Sequence, residues 1–319
     1  MTRYRNRTLK HGPNRARPGV LILALAMVAS ACSVLQADEA VSCSDPVEER
    51  VTHRYAETDG IDPDLQSLDV YASATAQDCP VLIWVHGGSW QAGGKRTAAT
   101  RVKADHFVNN GFVFVSINYR LASAENDIRW PDFGNDVADA AAWVIDNADT
   151  IGGDLEQVSL IGHSSGAHLV SIVATNPDLL ERSGHEPSDL ACVVSLDSVT
   201  HDLTDEPPWE TDIIQLAFPS QDQLIDGSPT LQALDRPQGP DGPNVLVVTR
   251  GRDERIESAE NLVAAITAGN GRAEVADVSP YDHSEVSVQL GVPGEMMVTP
   301  VVDAHLDGCT TEPSEALGG

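Results

Sequence analysis

The chain has 319 residues, with 48 acidic against 20 basic side chains and a formal net charge of −28. Such a charge works against binding nucleic acid or any other anionic surface, since like charges repel. No C-x-x-C, H-E-x-x-H or EF-hand spacing occurs, and no G-x-G-x-x-G follows a strand pattern, so neither a metal nor a dinucleotide cofactor is expected.

The N-terminus reads as a processing signal and not as part of a fold. Arg3, Arg5, Arg7, Lys10, Arg15 and Arg17 precede an apolar run at 18–31 that ends in small residues. A basic stretch, a short apolar stretch and small residues are the marks of a signal peptide over 1–31, too short to span a membrane comfortably. Cys32 follows Ala29-Ser30-Ala31 directly. That arrangement resembles a bacterial lipobox, which makes Cys32 a candidate for lipidation and membrane anchoring, with 32–50 as an acidic tether. The expected location is outside the cell, as a bacterial surface lipoprotein or a secreted protein. Without residues 1–31 the net charge falls to −34. Lysine occurs only at positions 10, 95 and 103, and an acidic, lysine-poor surface suits a salty medium that screens self-repulsion.

Cys43, Cys79, Cys192 and Cys309 remain beside Cys32. An even number in an exported chain implies two disulfides, with three pairings open. The pairing Cys43–Cys309 with Cys79–Cys192 would tie the two ends together.

Residues 51–58 and 67–72 read as opening antiparallel strands. Residues 80–85, PVLIWV, form a buried strand that runs into His86-Gly87-Gly88-Ser89-Trp90. A core strand follows at 112–119, and 137–148 carries apolar residues at helical spacing. Residues 157–166 read QVSLIGHSSG, a strand breaking into a turn, and Ser165–Thr175 reads as a helix. Residues 199–243 hold seven prolines and little periodicity, and are expected to form a cap or insertion. Strands at 244–251 and 273–279 flank a helix over about 257–268. Residues 310–319 read as a flexible tail. Strands alternating with helices over 51–309 predict one α/β domain with a mostly parallel sheet.

Gly162-His163-Ser164-Ser165-Gly166 is G-x-S-x-G between a strand and a helix. Glycines two residues either side of Ser164 leave room for a sharp turn that exposes its hydroxyl. Ser165 could be proposed as nucleophile, but the glycine spacing centres on Ser164. Attack on a carbonyl creates an oxyanion, and the backbone N–H groups of Gly88, Ser89 and Ser165 are the expected donors. Asp253 follows a strand end in the pattern G-x-D-x-x-I, and His283 lies just past the next strand. Functional residues of open α/β sheets gather at such ends. Asp197, after the strand ACVVSL, is the other candidate acid. Asp282 should face away from its neighbour His283. His163 and His168 read as packing residues and His86 as a brace for its loop. Trp90, Trp130 and Trp209 either line a pocket or belong to the core.

The chain order Ser164, Asp253, His283 is that of the α/β-hydrolase fold. LDVYA at 68–72, VLIWVHGGSWQAGGK at 81–95, VSINYRLA at 115–122 and IGGDLEQVSLIGHSSGAHL at 151–169 carry a closer likeness. Over about 51–286 the chain resembles the carboxylesterase and kynurenine-formamidase-like group, which includes feruloyl and acetylxylan esterase-like members. The resemblance implies a mostly parallel sheet with helices on both faces, a short cap and a Ser164-Asp253-His283 triad. It also implies hydrolysis of a small-molecule ester, or less often an amide. Two departures stand out: Ser89 replaces the third glycine of H-G-G-G, and Ser165 follows the nucleophile. Neither removes a backbone N–H. The rival readings are an arylformamidase-like amidase and a non-catalytic surface binding protein of the same fold. Filled triad and oxyanion positions count against the second.

Overall fold

In a computed structural model, residues 43–44, 50–205, 211–251 and 253–310 are described. All belong to the unit Glu39–Gly319. The expected signal peptide, Cys32 and most of the tether lie outside them, as do Trp209 and residues 311–319.

The chain begins with strands β1 (Arg50–Arg54), β2 (Ser67–Tyr71) and β3 (Cys79–Val85). Helix α1 (Ala98–Asn109) leads to β4 (Val113–Ile117). Helices α2 (Asp132–Asp146) and α3 (Ala148–Ile151) lead to β5 (Gly153–His163). Next come α4 (Ser165–Thr175), α5 (Asp178–Glu181) and β6 (Cys192–Leu196). Three short helices follow: α6 (Thr211–Ala217), α7 (Gln221–Asp226) and α8 (Pro229–Asp235). The last part runs β7 (Asn244–Thr249), α9 (Asp253–Ala268), β8 (Ala273–Asp277), α10 (His283–Val288) and α11 (Val298–Thr310).

The eight strands form one sheet in the order β1-β2-β4-β3-β5-β6-β7-β8. β1 and β2 join antiparallel, and every pair from β4–β3 onward is parallel. The central strands are apolar along their whole length because helices cover both faces. Side chains alternate between two layers. Val81, Ile83, Leu160 and Val193 pack with Val137, Leu169 and Leu262 of α2, α4 and α9. Leu82, Phe114, Ile161 and Val194 pack with Phe107, Val302 and Leu306 of α1 and α11.

This order places the site. From β3 the chain crosses through α1 to β4 on one side, then returns through α2 to β5 on the other. The helices therefore fall on opposite faces, and the loops after β3 and β5 diverge. The crevice between them is where an open α/β sheet binds its ligands. The loop 86–90 leaves β3 there, and Ser164 leaves β5.

The insertion at 199–243 is more regular than its prolines imply. Ile214, Ala217 and Phe218 are buried with Trp90, Trp130 and Phe133. Trp130 donates its backbone N–H to Ala217 (2.9 Å) and its indole N–H to Asp226 (2.7 Å). A polar, proline-broken sequence hides this order because only a few of its residues face inward. The helix expected to begin near 257 begins at Asp253, and that changes the reading of the site below.

Both expected disulfides form, in a pairing other than the end-to-end one. Cys43 joins Cys79 (Cα–Cα 5.7 Å), and Cys192 joins Cys309 (Cα–Cα 6.1 Å). Cys79 opens β3 near the chain's entry, whereas Cys192 opens β6 beneath α11, so the sheet separates the partners that the ends-together pairing would need. The enclosed separations of 36 and 117 residues correspond to about 4 and about 5 kcal/mol in the chain-entropy picture. Peptide mapping of unreduced protein should recover the 43–79 and 192–309 cross-links, and reduction should lower the melting temperature. Recovery of a 43–309 peptide would refute this arrangement.

Candidate active site

The turn at Ser164 is tight. Its backbone sits at φ 57° and ψ −122°, a conformation that L-residues seldom adopt outside such elbows. A Cβ on Gly162 would collide with the Gly166 carbonyl, and one on Gly166 with the Val85 carbonyl. Both glycines are therefore demanded by close backbone approach. The Ser164 N–H is tied to Leu196 O at 3.0 Å, which anchors the elbow to the end of β6.

The Ser164 hydroxyl lies 3.0 Å from Nε2 of His283. The other ring nitrogen of His283, Nδ1, lies 2.6 Å from Oδ2 of Asp197. Nδ1–H donates to the carboxylate, which leaves Nε2 to accept from the hydroxyl. His283 opens α10, and Asp282 is that helix's N-cap: its carboxylate accepts from Glu285 N, and Glu285 returns a bond to Asp282 N. Asp282 thus fixes the helix start and faces away from the imidazole, as its adjacency implied.

The acid is the main correction. Asp253 does not meet His283. It is the exposed first residue of α9, where a carboxylate complements the helix dipole. Because α9 starts at Asp253, its first turn aims Arg255 inward in place of Asp253. Asp197 follows β6 immediately, at φ 50° and fully buried. Its Oδ2 also accepts from Arg250 Nε (2.7 Å), and its Oδ1 from Arg255 Nη1 (3.1 Å). Burial works to raise the Asp197 pKa. The hydrogen bond from His283 and the guanidiniums of Arg255 and Arg250 outweigh it and hold the group below the ordinary carboxylate value.

The loop after β3 brings a second set of groups. Gly88, Ser89 and Trp90 have φ of 136°, 55° and 58°. Gln91 and Ala92 both donate to Gly88 O at 3.0 Å, which folds the loop into a compact turn beside Ser164. Ser89 therefore holds a left-handed conformation where a glycine would be unstrained. His86 stacks on Tyr119 (4.3 Å between centroids), and the Tyr119 hydroxyl donates to His86 O at 2.9 Å. His86 is a brace, held neutral by burial with its pKa lowered to about 4. Ser165 is the first residue of α4, so its N–H has no carbonyl one turn earlier to bond.

Further side chains act on these. His163 donates Nε2–H to the His283 carbonyl (2.7 Å), and its ring packs on the His283 ring at 4.6 Å. Burial lowers its pKa to about 3, so it stays neutral. Trp90 and Trp130 are core residues, and Trp90 donates to His168 Nδ1 at 3.3 Å. Lys103 of α1 donates to Ser287 O (2.6 Å) and lies 4.6 Å over the Trp84 ring. It ties α1 to the helix that carries His283. Arg250, Arg255 and Lys103 carry no motif, and their roles depend on contacts across 53 to 184 residues.

Two clefts meet at Ser164. The larger, about 390 Å³, is bounded by Trp84, the 86–89 loop, Lys103 and Ser287. The smaller, about 190 Å³, is bounded by Trp90, Ser165, Ser198, Thr200, Ile213 and Arg255. Elsewhere, His305 and Cys309 of α11 cluster with Cys192 of β6. Their two sulfurs are bonded to each other, and a metal needs thiolates.

Burial lowers the Lys103 pKa to about 7. Between about pH 7 and the ordinary lysine value of about 10.4 the unfolded chain binds the extra proton, so stability rises with pH across that window. Urea unfolding at pH 7 and pH 9.5 should show this rise, and Lys103→Met should flatten it. An equal pH dependence in the variant would place the titrating group elsewhere.

Comparison with known proteins finds esterases of this fold. Residues 68–205 match the BD-FAE family. Esterase LipQ of Mycobacterium tuberculosis is 38% identical over 119 residues, covering 37% of this chain and 27% of that protein. Carboxylesterase NlhH of the same organism is 26% identical over 263 residues, covering 79% and 80%. The matches to the first three relatives span only about a quarter to a third of their length (27%, 25% and 30%). Among solved structures, the carboxylesterase EstE1 from a metagenomic library superposes with a TM-score of 0.66 at 20% identity, over 84% of this chain and 92% of that one. Esterase B of Lactobacillus rhamnosis gives 0.65 at 18% identity, over 83% and 88%. The sheet order, the elbow at Ser164 and these likenesses together show the α/β-hydrolase fold, and the segment 68–205 matches the BD-FAE family.

Proposed function

We propose that the chain is an exported serine hydrolase that cleaves carboxylic esters through an acyl-enzyme. One observation carries the reading: an unbroken hydrogen-bonded line from the Ser164 hydroxyl through His283 to a fully buried Asp197. His283 takes the hydroxyl proton as Ser164 Oγ attacks the ester carbonyl. Asp197 keeps the imidazole in the tautomer that can accept it and stabilises the imidazolium that forms. The N–H groups of Gly88, Ser89 and Ser165 stabilise the developing oxyanion. His283 then hands the proton to the leaving alcohol, and water repeats the sequence to release the acid. The esterases among the chain's relatives support this substrate class.

Hydrolysis of p-nitrophenyl butyrate and labelling by a fluorophosphonate test the reading. Ser164→Ala should abolish both without unfolding the protein. Asp197→Asn should lower kcat by roughly 10⁴-fold, since the imidazole then settles in the wrong tautomer. Asp253→Asn should stay within about twofold of the parent, as expected of an exposed side chain remote from the chemistry. Strong loss in Asp253→Asn with little in Asp197→Asn would restore the other acid.

Export rests on the basic and apolar N-terminal stretches and on the two disulfides, which persist in oxidising compartments. Mass spectrometry of protein from bacterial membranes should find a lipid-modified Cys32 at the N-terminus. An intact residue 1 would refute processing.

A further inference from the structure

The smaller cleft holds an imbalance of charge. Asp197 is the one carboxylate that lines it among the described residues, and both its oxygens are committed. It faces two guanidiniums, Arg250 and Arg255, so the group carries one positive charge in excess. Arg255 is only 8% exposed. Its Nη1 serves the Asp197 carboxylate and carbonyl, both at 3.1 Å, while Nε and Nη2 hold no hydrogen bond among the described residues. Neither atom is among the buried ones left without a partner, so the guanidinium keeps an accessible edge with which an anion can pair. The rest of the wall adds two buried hydroxyls, Ser198 and Thr200, and three apolar side chains, Trp90, Val199 and Ile213. In a chain of net charge −28, a pocket that excludes free carboxylates beside the nucleophile is selective.

We propose that this cleft receives a short acyl chain ending in a carboxylate, so that the preferred substrates are monoesters of small dicarboxylic acids. The proposal rests on the esterase reading above. A volume of about 190 Å³ holds ~6 water-sized atoms, the size of a three- or four-carbon diacid residue. The acyl carboxylate pairs with the free edge of Arg255, a fork suited to two parallel hydrogen bonds. Ile213 packs on the methylenes. Ser164 Oγ forms its bond to the ester carbon, the carbon–alkoxide bond breaks, and the Ser164 proton leaves with the alcohol through His283.

The test measures kcat/KM for monoethyl succinate and for ethyl butyrate, which share chain length and leaving group. Acetoxyacetate, whose carboxylate lies on the alcohol side, is the third substrate. The parent enzyme should favour monoethyl succinate over ethyl butyrate at least tenfold and should not favour acetoxyacetate. Thr200→Asp, which adds a negative charge to the wall without touching the triad, should lower the succinate-to-butyrate ratio at least tenfold. Arg255→Gln should lower the same ratio whatever it does to the overall rate. A ratio at or below one, with ethyl butyrate still turned over through Ser164, overturns the substrate class and leaves the esterase standing. Preference for acetoxyacetate overturns the acyl placement. If no ester is cleaved and folded protein takes no fluorophosphonate, the esterase reading falls and the substrate class with it.

Discussion

A buried carboxylate must be matched in place, and the site of this protein is organised around one that is. Asp197 is out of reach of water and meets an imidazole and two guanidiniums, drawn from the loop after β7, from α9 and from α10. Desolvation of such a group costs several kcal/mol, and only close partners offset it. Three separate segments are therefore bound to one point at the end of β6. Loss of any partner would leave charge uncompensated, so the same contacts that order the imidazole also hold the C-terminal part of the fold together.

The second constraint is steric. The elbow at Ser164 and the loop at 88–90 both store unfavourable backbone geometry, and each is held by contacts that leave little alternative. Ser164 is tied to Leu196, and the 88–90 turn is closed by the Gln91 and Ala92 N–H groups on Gly88 O and held by the Ala122 N–H on Trp90 O (2.7 Å). The strain keeps the Ser164 hydroxyl and the backbone of 88–89 beside the same cleft before any substrate arrives. Neutral histidines support this frame. His163 and His168 are kept uncharged by burial and spend their N–H groups on the carbonyls of His283 and Gly227.

The insertion between β6 and β7 adds a different contribution. Its helices carry few apolar residues, yet those few close an aromatic cluster of Trp90, Trp130, Phe133 and Phe218. Trp90 belongs both to that cluster and to the wall of the smaller cleft. The insertion is thereby coupled to the loop that follows β3, and the pocket's shape depends on packing well away from Ser164.

Much of this was legible from the residues alone. Apolar runs named the central strands, glycine spacing named Ser164, and the position after a strand end named His283. These are local signals, since a buried strand needs continuous apolar residues and an elbow needs glycines beside it. The acid was not decided that way. Asp197 and Asp253 both follow strands, and their sequence contexts do not say which turn faces the imidazole. That depended on where α9 begins, because a start at Asp253 turns Arg255 inward and leaves Asp253 in solvent. Disulfide pairing was likewise undecided, since four cysteines carry no partner information until the sheet order brings Cys43 to Cys79 and Cys192 to Cys309. The sequence by itself determined the elements and the elbow that carries Ser164, through short-range pattern. The tertiary structure alone decided which carboxylate meets His283 and which arginines surround it, because these contacts arise where segments distant in the chain converge.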